Sequence, residues 1–187
     1  MDASQTIARR NPHVKPVVAC LLLPLAIGDL ACNAVLAATL QVTNCNDAGS
    51  GSLRAALAIA HSGDSVDLTT LTCGRITLAT GELQITVNDL TLQGPGADAL
   101  SIAGGSAPHS YAVLNHTGQG TLQINALTVT DNQAQYSYYG LQTSRCVRSG
   151  FGTVSLDRAT VTACTGGGVF ANILSAQDST ISDSSQG

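Results

Sequence analysis

The sequence predicts an all-β fold in which short strands are wound into successive coils and stacked, a parallel β-helix. Three observations carry this. Apolar and polar residues alternate in segments of three to five residues, which is the period of a strand. A Thr-aliphatic-polar pattern recurs: Leu90-Thr91-Leu92-Gln93, Leu127-Thr128-Val129-Thr130, Ala159-Thr160-Val161-Thr162 and Ser179-Thr180-Ile181-Ser182. The composition is poor in charge (11%) and in aromatic residues (3%), has no Trp, and is rich in Gly at 19. That suits stacked strands better than helices built on large side chains, and its 44% hydrophobic content separates it from disordered chains.

The spacing of the copies argues for coils rather than a broad sheet. A second alternating stretch precedes each copy: Leu83-Gln84-Ile85, Leu122-Gln123-Ile124, Val154-Ser155-Leu156 and Leu174-Ser175-Ala176. Aligning the copies on Leu92, Val129, Val161 and Ile181 gives unequal intervals, so inserts or an extra coil are expected early in the chain. Leu100-Ser101-Ile102 and Ala112-Val113-Leu114 are candidate strands of such a coil. Strands this short bury their apolar positions by stacking on the equivalent strand of the next coil. Gly104-Gly105 and Gly166-Gly167-Gly168 fall where a coil must turn. Helical periodicity is confined to Leu53–Ala60, with Ser52 placed to cap it and Leu53, Leu57 and Ala60 on one face. Such a helix would cover the first apolar layer and protect the strand edges.

The first residues read as an export signal. Arg9, Arg10 and Lys15 form a basic n-region, Val17–Ile27 is mostly apolar, and Val35-Leu36-Ala37 offers a cleavage site after Ala37 or Ala38. Residues 1–38 are therefore expected to be a signal peptide. An uncleaved anchor is the alternative, although a span needs about 20 apolar residues and this run is broken by Pro24 and Asp29. A lipoprotein at Cys32 is opposed by Asp29. Loss of this segment leaves Cys45, Cys73, Cys146 and Cys164. An even count in an exported chain points to disulfides. Proximity pairs Cys45 with Cys73 and Cys146 with Cys164, one of three possible connectivities. A metal site is the rival, but no CxxC and no paired His accompany these residues.

At the start of this region the residues take a familiar form. Thr43-Asn44-Cys45-Asn46-Asp47-Ala48-Gly49-Ser50-Gly51-Ser52-Leu53-Arg54-Ala55-Ala56-Leu57 resembles the "SLREA"-type opening of secreted bacterial β-helix proteins. Asn88-Asp89-Leu90-Thr91-Leu92-Gln93-Gly94-Pro95-Gly96-Ala97 resembles a second landmark of that family, and Gly167-Gly168-Val169-Phe170 with Ser179-Thr180-Ile181-Ser182 resembles its coil repeat. The resemblance spans most of residues 39–187. It implies a right-handed parallel β-helix with a short N-terminal capping helix, secreted or at the cell surface. In that pattern Cys146 stands where Gly is usual and Cys164 where Asn is usual, which a disulfide would explain. Residues 39–187 then form the N-terminal part of a β-helix domain, and its repeat is expected to continue beyond Gly187.

Chemistry is sparse. The net charge of −4 supplies no basic face for nucleic acid or an anionic membrane, and no cofactor motif is read. The acids Asp131, Asp157, Asp178 and Asp183 lie near Arg145, Arg148 and Arg158. Clustered carboxylates with a basic residue would suit a polysaccharide lyase or glycoside hydrolase. Solvated turns and surface ion pairs are the plainer reading. His61, His109 and His116 are read as scattered loop residues, and Asn115-His116-Thr117 fits a glycosylation sequon. Tyr136, Tyr138 and Tyr139 form an aromatic cluster between coils and are candidate contacts to a glycan or surface-protein partner. The expected function is a non-enzymatic, adhesin-like or structural surface protein; the alternative is part of a carbohydrate-active β-helix enzyme.

Overall fold

The computed structural model describes residues 36–105, 112–132, 137–138, 141–142 and 145–182. The chain divides into Met1–Ala34 and Val35–Gly187, and every described residue lies in the second unit. Nearly all of the expected signal peptide therefore lies outside the described residues. Among these, no helix is long and apolar enough to cross a membrane.

Among the described residues the second unit is all-β apart from one short helix. In chain order it contains β1 (Thr39–Gln41), α1 (Leu53–Ile59), β2 (Ser65–Asp67), β3 (Arg75–Thr77), β4 (Leu83–Ile85) and β5 (Leu90–Gln93). There follow β6 (Ser101–Ala103), β7 (Ala112–His116), β8 (Thr121–Asn125), β9 (Thr128–Asn132), β10 (Ser137–Tyr138) and β11 (Leu141–Gln142). The last elements are β12 (Arg145–Asp157), β13 (Thr160–Cys164), β14 (Val169–Gln177) and β15 (Thr180–Ile181). Apart from the antiparallel pair β10–β11, all pairing is parallel.

The strands form three columns. The first runs β1, β2, β5, β8, then the C-terminal half of β12 and of β14. The second runs β4, β7, then the N-terminal halves of β12 and β14. The third runs β3, β6, β9, β13, β15. Like stacks on like at the inward positions: Val66, Leu92, Ile124 and Leu156 in the first column, and Ile76, Ile102, Val129 and Val161 in the third. These residues and Leu83, Leu114 and Val147 of the second column belong to a single buried cluster.

This register corrects the alignment read from the sequence. Leu92 does not stack on Val129; it pairs with Ile124, while Val129 pairs with Ile102 and Val161. Leu83–Ile85 stacks on β7, not on Leu122–Ile124. The later copies stack as aligned, Val129 on Val161 and Val161 on Ile181, and so do Leu122–Ile124, Val154–Leu156 and Leu174–Ala176; only the first copy of each stretch joins a different column.

Columns one and three are joined by single residues in the left-handed region. These are Ala126, Arg158 and Asp178, with φ of 50°, 50° and 48°; Asp131 and Ala163, at 54° and 53°, take the same conformation inside β9 and β13. Each of the first three turns the chain sharply while the backbone ladder continues through it, as in Ala126 N–H to the Asp157 carbonyl at 2.9 Å and Arg158 N–H to Gln177 at 3.0 Å. In the rung before Ala126 the corner is Gly94, where a Cβ would lie 2.3 Å from the Ala126 carbonyl oxygen and 2.7 Å from Leu127 Cβ.

At the N-terminal end the opening motif is a clasp. Ser52 accepts from Ala55 N–H and so caps α1, whose Leu53, Ala56 and Leu57 are buried. Arg54 reaches Asp47 Oδ1 at 2.6 Å and donates to the Gly81 and Glu82 carbonyls at 2.8 Å each. The other Asp47 oxygen accepts from Ala79 N–H, Thr80 N–H and the Thr80 hydroxyl. Gly51 must be glycine here: φ is +77° and a Cβ would meet Thr43 Oγ1 at 2.2 Å. Partial burial works to raise the Asp47 pKa, but the Thr80 and Arg54 hydrogen bonds and the Arg54 charge outweigh it and hold the carboxyl below its usual value. Asp64 is likewise lowered, by the backbone N–H groups of His61 and Ala38.

Two sets of measurements follow. Gly94→Ala should cost roughly 1–3 kcal/mol through overpacking. Exposed Ala163→Gly should stabilise by about 0.5 kcal/mol, because relief of left-handed strain exceeds the added chain entropy. Urea denaturation reads both, and a destabilised Ala163→Gly would contradict the strain account. Because Asp47 and Asp64 have lowered pKa values when folded, their contribution is complete above the ordinary carboxylate pKa and disappears as pH falls through the folded values. Asp47→Asn should therefore flatten the acid limb of a stability-versus-pH curve between about pH 5 and pH 2.

Candidate functional site

The outer face of the second column is the best candidate for a site. On parallel strands in register, outward residues also stack in rows. One such row is Gln84 of β4, Asn115 of β7, Arg148 of β12 and Phe170 of β14. Asn115 is its centre and is only 7% exposed. Its amide nitrogen donates to Glu82 Oε1 at 2.9 Å and Gln84 Oε1 at 3.3 Å, and its oxygen accepts from Arg148 Nη1 at 3.3 Å. These contacts tie up the Asn115 side chain, so the sequon reading fails on burial.

Phe170 is 47% exposed. Phe151 is 75% exposed and lies where β12 bends, between Ser149 and Thr153, where the pairing with β14 slips. The chain contains two phenylalanines, and both are on the surface. Gly150 leaves space beside Arg148 Nη2, since a Cβ there would be 3.9 Å away. Arg54, Arg75 and Arg158 each pair with an aspartate, respectively Asp47, Asp131 and Asp157. Among the described residues Arg148 has an amide partner and no carboxylate partner. The guanidinium of Arg145, at the start of the same strand, lies against the Gly167 turn.

Directly inside this row sits a buried polar pair. His116 and Ser149 stack on each other and are fully buried. His116 Nε2 faces the Val87 and Asn88 carbonyls at 2.9 and 3.0 Å, so it carries a proton. In the neutral ring Nδ1 is therefore the acceptor of the Ser149 hydroxyl, 2.8 Å away. His116 is thus a strand residue of the core and not the loop residue read from the sequence. Its parity within β7, inward at His116 and outward at Asn115, was a local signal for that position. Although Ser and His are within hydrogen-bond reach, neither is accessible, and no carboxylate orients the ring; carbonyl oxygens do. The pair satisfies buried polar groups rather than activating a nucleophile.

The other expected residues are distributed elsewhere. Cys45 and Cys73 lie at disulfide distance beside the N-terminal clasp, with Cα atoms 6.4 Å apart, and Cys146 and Cys164 do so between β12 and β13, at 5.5 Å. Among the described residues no group of three or more His, Cys, Asp or Glu is placed to hold a metal ion. Asp131 pairs with Arg75 across the third column, and Asp157 with Arg158 at 2.9 Å. Arg148 joins Asn115 rather than Asp157. His109, Asp183, Tyr136 and Tyr139 lie outside the described residues; Tyr138 is in β10, paired with Leu141. Compared with family descriptions, curated proteins and solved structures, the chain matches none.

Removing the Ser149 hydroxyl would leave His116 Nδ1 without a partner in the core. Ser149→Ala should cost about 1–3 kcal/mol. His116→Leu combined with Ser149→Ala should recover part of that loss, since both polar groups disappear together. Equal unfolding midpoints for the wild type and Ser149→Ala would show that the pair contributes nothing.

Proposed function

We propose that the chain is an exported, non-enzymatic right-handed parallel β-helix repeat protein, adhesin-like, which presents the outer face of its second column to a glycan or surface partner. The observation that carries this reading is the exposure of both phenylalanines, Phe170 in register with Arg148 and Phe151 three residues beyond it, on an otherwise aliphatic fold. An exposed ring costs solvation and adds nothing to a core, so exposed aromatic residues beside a fork of donors suit recognition of a ligand with apolar and polar edges. The three columns of parallel strands agree with a coil whose rungs repeat, as does the corner residue at the same place in successive rungs. Two cysteine pairs at disulfide distance agree with an oxidising compartment.

The test uses the full chain expressed in a bacterial host with an intact export route. We expect a processed product outside the cytoplasm, with no free thiol before reduction, that binds glycans on an array without shortening them. Phe151→Ser together with Phe170→Ser should abolish array binding and leave the circular dichroism spectrum unchanged. Retention in the cytoplasm with reduced thiols would refute export. Release of oligosaccharide from a bound polymer would replace the adhesin reading with a carbohydrate-active enzyme.

A further inference from the structure

We infer that the ligand of this face is an acidic polysaccharide, with a sugar carboxylate held by Arg148 and the adjoining ring faces packed on Phe170 and Phe151; the inference rests on the binding role proposed above. The charge pattern supports it. The paired arginines of the described chain are neutralised by aspartates, whereas Arg148 is held by the neutral amide of Asn115. That bond places Nη2 near Gly150 with no carboxylate among the described residues in direct contact, the Glu82 carboxylate being bonded to the opposite end of the same amide. A guanidinium is suited to a carboxylate because it donates two parallel hydrogen bonds.

The apolar half of the site lies beside it. Phe170 is the register partner of Arg148 on the next strand, one strand spacing of about 4.8 Å away. Phe151 is exposed three residues beyond Arg148. A sugar ring offers C–H groups on its faces and hydroxyls at its edge, and an acidic sugar adds a carboxylate. Gln84 and Asn115 continue the row, their amides held by Glu82, Arg148 and each other, so they position Arg148 and leave the guanidinium as the polar group of the site. Successive strands repeat at about the length of one sugar unit, so an extended polymer lying across the strands would place neighbouring units over neighbouring rungs. A neutral glycan offers Arg148 only single hydroxyl acceptors, whereas a carboxylate takes two charge-assisted hydrogen bonds from one guanidinium.

The experiment is titration of the full-length protein with sodium alginate, with propylene glycol alginate, whose carboxyls are largely esterified, and with single-stranded DNA. We expect alginate to bind with an affinity that falls as salt rises, and the ester to bind at least about tenfold more weakly, as loss of a charge-assisted contact predicts. Arg148→Gln should weaken alginate binding about tenfold while Arg148→Lys retains part of it. Phe170→Ser should weaken both polymers. Circular dichroism confirms that each surface variant is folded. Equal affinity for alginate and ester, or an Arg148→Gln protein that binds like the wild type, would overturn the inference. DNA binding as tight as alginate would also overturn it, marking a nonspecific anion site. If neither alginate nor its ester binds while the array still records a Phe-dependent ligand, the acidic class is wrong and the binding face stands. If both are silent, the two proposals fall together.

Discussion

The structure depends on the in-register stacking of parallel strands. Each strand has two to five residues in most rungs, far too few to be stable alone, and gains its hydrogen bonds only from the rungs on either side. A slip of one residue would turn every inward aliphatic toward solvent. The chain therefore holds the strands fixed and puts its length variation elsewhere. Rung-to-rung separations are 20 residues between Ala159 and Ser179, 32 between Gln93 and Asn125 and 33 between Asn115 and Arg148. Corners cannot absorb variation either, because the backbone ladder passes through them. Ala126 and Arg158 accept a left-handed conformation that costs about 1–2 kcal/mol for a residue with a Cβ. Ladder hydrogen bonds on both sides hold them there.

Like-on-like stacking also explains the composition. An inward position lies one strand spacing from its counterparts, and Val, Leu and Ile of neighbouring strands interdigitate there at native density. The buried cluster is accordingly aliphatic. At the N-terminal end a different solution is needed, because among the described residues no strand precedes β1 in the first column. There α1 lays Leu53, Ala56 and Leu57 on the open layer, and Asp47 and Arg54 bind it to the turn before β4 through charge-assisted hydrogen bonds. The Cys45–Cys73 pair crosses the same junction.

Much of this was legible locally and some was not. Ser52 and the spacing of Leu53 and Leu57 foretold the helix because capping and amphipathicity act within one turn. The alternation of β4, β5, β8 and β13 foretold strands for the same reason. Register was legible only in part: the copies at Val129, Val161 and Ile181 do stack, but Leu90–Gln93, which resembles Leu127–Thr130, lies in a different column, and nothing in a strand of four residues says which column it joins. The candidate site is hidden for a related reason. Gln84, Asn115, Arg148 and Phe170 become neighbours only through stacking of segments 22 to 33 residues apart, whereas sequence adjacency singles out the tyrosines around position 138. Asp131 was recognised as a turn residue, but its partner Arg75 lies two strands away in the third column.

The interior and the outer row of the second column are one construction. His116 follows Asn115, and Ser149 follows Arg148, so the buried pair and the outward pair occupy the same two strands at adjacent positions. Against a slip of two residues, which keeps the inward set inward, an aliphatic column resists only through shape, since Val over Leu and Leu over Val are nearly equivalent. A buried His–Ser hydrogen bond is not degenerate in this way: displacing β12 along β7 would strand an imidazole nitrogen and a hydroxyl in an apolar interior. The carbonyls of Val87 and Asn88 hold the other ring nitrogen and tie β7 to the preceding rung. Arg148 consequently meets Asn115 with little freedom, and Phe170 is held on the next strand by the same ladder. Rigidity beneath a binding face lowers the entropy lost when a ligand docks. That gives a polar pair inside an aliphatic core a physical reason to sit under this row.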